Sequence, residues 1–413
     1  MGRSEVRAYA RVGASSALPG GLGWAAHMRA MDKHPLMTRA AGLNRLAAFA
    51  PHAGASYGHG RNTDFGPDSE GATSALSPFL RRRLVTEREA VEAALAVPGA
   101  SERFVQEVFW RTYFKGHLET RPALWDDYLA LARDGQEKVA AGSGLRRVYE
   151  DAVAGRTGID GFDDWARELV EHNWLHNHAR MWFASIWIFT LRLPWALGAE
   201  FFMSHLIDGD PASTTLSWRW VAGLHTKGKA YAARAENIRR YTEGRFDPRG
   251  LDEDPVPLEE ERDVKAMPVP KADVAPSGEV ALLLHLDDLN PESLDLGAAK
   301  VVRVRGVVAH ADGAVERVRA ADREAMADAL ARAGAHFGCE AALLEGGAVA
   351  EDWAGGLPGV AAWAPVGPSA GVLPACARVR RGWDSATWPR ANKGFFQVKA
   401  AIPQVLAAEG IAG

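Results

Sequence analysis

The chain has 413 residues, 47% hydrophobic and 24% charged; that exceeds one ordinary core and predicts two globular domains. A formal net charge of −4 excludes a global basic field, so any nucleic-acid contact has to come from a local patch. Two cysteines, Cys339 and Cys376, exclude a disulfide framework and a zinc site, and the absence of a long apolar run or signal-peptide core predicts a cytoplasmic protein with no membrane contact.

In chain order, residues 1–37 are rich in Gly, Ala and Arg without sustained periodicity. They read as a disordered segment or an overextended gene start, since Met28, Met31 and Met37 each precede the first organised residues. Residues 38–250 read as mostly helical with tryptophan-rich apolar faces. "TEREAVEAALAV" sets Thr86 three residues before Glu89, the spacing of a capping box. "FDDWARELVEHNWLHNHARMWFASIWIFTLRL" places Trp165, Leu169, Trp174, Met181 and Phe183 at helical positions. Breaks near Asn173 and at Pro194 predict two helices, with the intervening turn delivering side chains to something buried between them.

Residues 251–277, rich in proline and charge, have neither helical nor strand periodicity and read as a linker. From 278 to 413, "EVALLLHLDDL" and "AKVVRVRGVVAH" read as buried strands and "AADREAMADALARAGAHFG" as an amphipathic helix. "CEAALLEGG" and "LPGVAAWAPVGP" read as further strand-loop units, and "KGFFQVKAAIPQVLAAEG" as a docking helix. The expected fold is therefore multi-domain: an all-α domain followed by a smaller α/β domain with a partly parallel sheet.

The stretch "SHLIDGDPASTTLSWRW" sets Asp208 and Asp210 one residue apart, ahead of Trp218 and Trp220, with no cysteine, metal-ligand spacing or activated nucleophile close by. It is the last of four blocks that occur in order. The others are "YGHGRN" with "GATSALSPFL", "QEVFWRTYF", and "GRTGIDGFDDWARELVEHNWLHNHARMWFAS". Together they resemble the flavin-binding domain of the DNA photolyase and cryptochrome family over about half the chain.

The resemblance implies bound FAD, folded among helices. Tyr57, Thr73, Ser74, Ser77, Arg111, Asn177, Arg180, Asp208, Asp210 and Thr214 stand at cofactor positions. Hydroxyls and exposed N–H groups near a helix start suit a pyrophosphate, and Arg111 adds a fixed fork of charge. Arg180 and Asp208 would form a matched pair beside the ring.

It further implies light-driven repair of cyclobutane pyrimidine dimers in damaged DNA, with the lesion flipped into a pocket. Glu107, Trp110, Asn177, Met181 and Trp220 stand at the lesion positions. Trp110 and Trp220 would stack on the lesion, and Glu107 would hold a proton through burial. Arg61 and His178 match DNA-side positions; Arg81, Arg82 and Arg83 are further candidate phosphate contacts, for which a solvated helix end is the favoured reading. Trp218 and Trp195 match the inner and middle members of an electron-transfer chain. Its outer tryptophan is missing around "KVAAGSGLRR", which leaves Tyr149 or Trp187 as other exits.

Several features depart from the family. Thr214 stands where photolyases usually carry asparagine beside the flavin, and His178 replaces a basic residue. The end of the helical region, with Lys227, Lys229, Arg239 and Arg240, is locally basic but diverges. An α/β domain follows the helical one, either a rearranged counterpart of the family's antenna domain or an unrelated addition. The alternative function is a cryptochrome-type light receptor signalling through a protein partner. A third reading is a flavin-binding interaction protein without photochemistry.

Overall fold

The computed structural model describes residues 35–411 except 70, 98, 100, 101, 261, 345–348 and 350–351. Apart from its last three residues, the expectation for residues 1–37 lies outside the described residues. Met37 itself is buried, and its N–H donates to Glu324 at 2.9 Å.

Helix starts follow local hydrogen-bonding chemistry. Thr38 caps α1 (Arg39–Phe49) by accepting from Ala41 N–H. Short α2 (Ala55–Gly60) and α3 (Ser77–Arg81) follow. At α4 (Glu87–Leu95) the Thr86 side chain accepts from Glu89 N–H while Glu89 accepts from Thr86 N–H, so the capping box forms as read. The long helices α5 (Glu102–Glu119) and α6 (Ala123–Ala141) lead to α7 (Ser143–Val153) and α8 (Phe162–His172).

The two expected breaks occur where they were placed. Asn173, in the left-handed region at φ 54°, closes α8, and α9 (Asn177–Ser185) begins beyond the turn. A π-helical segment, Ile186–Thr190, continues α9. Pro194 then precedes α10 (Trp195–His205), and α11 (Pro211–Val221) and α12 (Ala235–Tyr241) complete the helical part. Trp165, Trp182, Trp187 and Trp218 are fully buried. Burial of each ring removes enough apolar area for roughly 4–6 kcal/mol before entropy is subtracted. Gly198 lets α10 close onto this core: a Cβ there would lie 2.2 Å from the Trp218 ring.

Residues 251–277 contain no helix or strand among the described residues. They run across both parts: Leu258 N–H donates to Ala222, Met267 N–H to Thr120, and Asp273 N–H to Arg378. Beyond them lie β1 (Gly278–Leu284), β2 (Ala299–Gly306), α13 (Glu316–Phe337), β3 (Glu340–Leu343) and β4 (Gly359–Ala362). Next come α14 (Pro368–Val372), β5 (Ala377–Val379), α15 (Gly382–Thr387) and α16 (Phe395–Ala408).

The sheet order is β3-β2-β1-β4-β5, and every pairing is parallel, not partly so as expected. The central strand β1 is buried over its last five residues, which explains the unbroken apolar run "VALLL". No described helix is long and apolar enough to cross a membrane.

In such a sheet the crevice for ligands lies outside the carboxyl ends where the strand order reverses, here between β1 and β4. The helical part fills it. Glu119, at the end of α5, accepts from Val366 N–H at 2.6 Å and from Trp363 Nε1 at 3.1 Å. Burial raises the Glu119 carboxyl to about 7 despite these two donors. Gly367, at φ 150°, admits the same contact, since a Cβ there would meet Pro211 at 2.7 Å.

The arginine run corrects the sequence reading, because all three side chains are buried and not solvated. Arg81 reaches Asp287 at 2.7 Å, and Arg82 reaches Asp322 at 2.6 Å. Arg83 binds Asp384 at 2.7 Å, Glu87 at 3.1 Å and Asp288 at 3.4 Å, with its side chain 1% exposed. Asp384 is held from the far end of the chain, so one guanidinium ties α15 to α4.

Asp288 keeps Arg381 as a partner at 2.6 Å, but deleting the Arg83 guanidinium strands Asp384 as a buried carboxylate and takes away the 3.1 Å ion pair of Glu87. Arg83→Ala is therefore expected to lower unfolding stability by about 3–5 kcal/mol, read as a drop in the urea midpoint. A change within experimental error would mean that the interlock carries no stability.

Candidate functional site

The start of α11 explains one of the paired carboxylates. Asp210 is its N-cap, with Oδ1 accepting from Ser213 N–H at 2.8 Å and Pro211 in the first turn. Its second oxygen, Oδ2, lies 3.0 Å from Arg111 Nη2 and 4.0 Å from Lys115 Nζ. Arg111 and Lys115 are one turn apart on α5 and so share a face.

Arg111 Nε and Nη2, Lys115 Nζ and Asp210 Oδ2 are buried without a well-aligned hydrogen bond. Burial raises the Asp210 pKa, but Arg111, Lys115 and Arg81 outweigh it and hold the carboxyl well below the ordinary range. Burial, reinforced by Arg111, lowers the Lys115 pKa. Three donor atoms and one acceptor, all buried, fit a polar ligand carrying anionic groups.

Asp208 makes a separate pair, accepting from Arg180 Nη2 at 3.0 Å, while Arg180 Nε donates to the Leu175 carbonyl. Thr214 is buried one turn into α11, where its N–H donates to the Asp210 carbonyl. Thr73 and Ser74 lie in the loop before α3, and Ser77 opens that helix. Arg45 Nε donates to the Ser74 carbonyl at 2.7 Å.

Glu107 stands one turn before Arg111 on α5, and Arg61 Nη1 donates to it at 2.6 Å. Burial raises the Glu107 pKa against the pull of Arg61 and Arg103. Tyr57 is buried between Phe49 and Phe104. Burial raises its phenol, with Glu107 adding to the effect. Asn177 is exposed at the start of α9, and Met181 follows one turn later, half-buried. Trp220 packs on Tyr231 at 5.5 Å and has no ring contact with Trp110.

Two expectations for side chains here need correction. Trp110 is not an open stacking wall: Phe395, from α16, lies flat on it at 3.8 Å with an 11° interplanar angle. His178, matched to a DNA-side position, has its ring already engaged within the protein. It stacks on Trp182 at 4.1 Å, and its ring nitrogens meet the Asn62 carbonyl and the Tyr231 hydroxyl.

The aromatic contacts of Trp218 lead to the π-helical segment. Trp187 meets Trp218 edge-on at 6.2 Å and Tyr149 at 5.9 Å. Tyr149 lines a cleft of about 330 Å³ with Gln136, Glu200 and His205. Trp195 instead has Tyr128 at 6.0 Å and the Arg219 guanidinium over its ring at 5.8 Å. Sequence reasoning missed Lys115 and Phe395. The spacing of Lys115 from Arg111 was a usable signal; nothing local marks Phe395.

Residues 104–251 match the family described as the FAD binding domain of DNA photolyase. A deoxyribodipyrimidine photo-lyase of Streptomyces griseus is 34% identical over 185 residues, covering 41% of this chain and 38% of that protein. One from a Synechococcus strain is 31% identical over 192 residues, covering 44% and 38%. The chain thus spans well under half the length of these curated relatives. The crystal structure of a bacterial class III photolyase from Agrobacterium tumefaciens superposes with a TM-score of 0.41 at 24% identity, over 54% of this chain and 48% of that one.

Proposed function

We propose, from the match of residues 104–251 to the family of the FAD binding domain of DNA photolyase, that this chain binds FAD and repairs pyrimidine dimers in light. The observation that carries the reading is the buried set of Arg111, Lys115 and Asp210, whose unsatisfied polar atoms lie within the matched region. Bound flavin would supply light absorption and a one-electron donor.

The remaining roles belong to the chain. Arg111 and Lys115 would hold anionic groups of the cofactor, together with the Thr73, Ser74 and Ser77 hydroxyls. Asp210 would accept from a ring or ribose donor while capping α11. Arg180 would hold Asp208 in its orientation, with Tyr57, Asn177 and Thr214 completing the cofactor lining.

For the lesion, Trp220 and the part of Trp110 that Phe395 leaves uncovered would bound a pocket, and Asn177 and Met181 would meet the base edges. Arg61 fixes the rotamer of Glu107, and burial favours a proton on Glu107 when that ion pair opens. The protonated carboxyl would donate to a carbonyl as negative charge develops on the dimer. Splitting of a dimer in this way would involve no net redox change. Where the cofactor is bound oxidised, Trp218, Trp187 and Tyr149 would relay an electron to it from an external reductant at the surface.

The test follows loss of thymine dimers from an ultraviolet-irradiated oligonucleotide with pre-reduced protein. Removing a donor aimed at developing charge costs roughly 100-fold or more, so Glu107→Ala should slow light-dependent loss by about that factor, whereas Glu107→Gln, which keeps a donor, should stay within several-fold. Parental rates in both variants would remove Glu107 from the chemistry. The light-receptor reading has one observation in its favour: Phe395 already covers a face of Trp110.

A further inference from the structure

From Ser385 to Ala408 the chain has no carboxylate, but carries Arg390, Lys393 and Lys399. All three cations are exposed. Among the described residues, Phe396 is the one aromatic ring among the exposed large hydrophobic side chains, 85% accessible. A lone exposed phenylalanine needs no explanation of its own. Here its setting supplies a reason for it.

The segment is held at Trp110 of the proposed lesion pocket and, beyond it, along α5 and at Arg121 just past its end. Phe395 stacks on Trp110 and meets Tyr113 at 5.8 Å. The Asn392 carbonyl accepts from Arg121 Nη2 at 2.9 Å, and the Ala391 carbonyl faces His117 Nδ1 at 3.2 Å. Gly394, at φ 101°, makes the turn into α16. Consecutive residues of a helix point in different directions, so anchoring Phe395 presents Phe396 outward. Lys399 follows three residues later on the same face.

We infer that Arg390, Lys393, Phe396 and Lys399 form a contact surface for a DNA strand at the rim of the lesion pocket. The inference rests on the repair reading above. The cations meet phosphates, and Phe396 stacks on a base left without its neighbour when the lesion leaves the helix. An aromatic among cations, without carboxylates, matches the two faces of an unstacked strand: a charged backbone and an apolar base.

The experiment uses the full chain and two fluorescent probes, a duplex with one thymine dimer and an undamaged single strand, titrated across salt concentrations. Stacking of one base is worth enough that Phe396→Ala should weaken dimer binding about tenfold. Replacing both Lys393 and Lys399 with serine removes two phosphate contacts and should make the salt slope shallower by about 2. Unchanged affinity and slope in both variants, with wild-type protein binding the probes, would overturn the proposal. So would a change in oligomeric state on Phe396→Ala without a change in DNA affinity, which would make the segment a protein interface. Dimer loss by wild-type protein in light, measured separately, tests the repair reading: its failure alongside intact, Phe396-dependent strand binding would overturn repair and leave this surface standing.

Discussion

Asp210→Asn is expected to purify with little flavin. Asparagine caps a helix as well as aspartate does, so the start of α11 should survive. What is lost is the charge between Arg111 and Lys115. Toward the cofactor, the variant loses the charged acceptor proposed for a ring or ribose donor, a hydrogen bond worth about 1.5–3 kcal/mol, so FAD affinity should fall roughly 10-fold or more. The readout is visible flavin absorbance carried through gel filtration, then titration with added FAD. Unchanged circular dichroism separates lost binding from lost folding. A variant that keeps stoichiometric flavin would show that the buried set is a structural ion cluster only.

The second large effect concerns electron supply. Trp187→Phe should cut photoreduction of bound oxidised flavin to a small fraction of the parental rate, as Trp218→Phe should, whereas Trp195→Phe should leave most of it. The reason is the ring contacts: Trp218 touches Trp187, and Trp187 touches Tyr149. The Arg219 guanidinium over Trp195 would also disfavour a cationic radical on that ring. Flavin absorbance under continuous blue light with an external reductant measures the rates. A larger loss in Trp195→Phe than in Trp187→Phe would restore the route expected from the family pattern.

Legibility in the sequence followed the range of the interaction. The capping box at Thr86, the left-handed stop at Asn173 and the break at Pro194 depend on a few neighbouring residues, so residue type alone placed them. The unbroken apolar run of β1 likewise announced a strand buried on both faces. The three-residue strand β5 is too short for any periodicity to show.

The arginine run was misread because its partners Asp287, Asp322 and Asp384 lie more than two hundred positions away. No local pattern separates a solvated arginine from one in a buried network. Arg111 and Asp210 were placed through family motifs, and their ion pair emerged only once α5 and α11 were seen to pack together. Trp110 shows the same limit. Its position suggested an open wall, but the ring covering it comes from the far end of the chain.

The most direct measurement is dimer loss itself. Purified protein with chemically reduced flavin is mixed with an ultraviolet-irradiated oligonucleotide, and thymine dimers are counted after blue light and after darkness. Loss in light alone, falling about 100-fold in Glu107→Ala, is the predicted result. Equal dimer content in light and darkness, with flavin bound and reduced, would contradict repair.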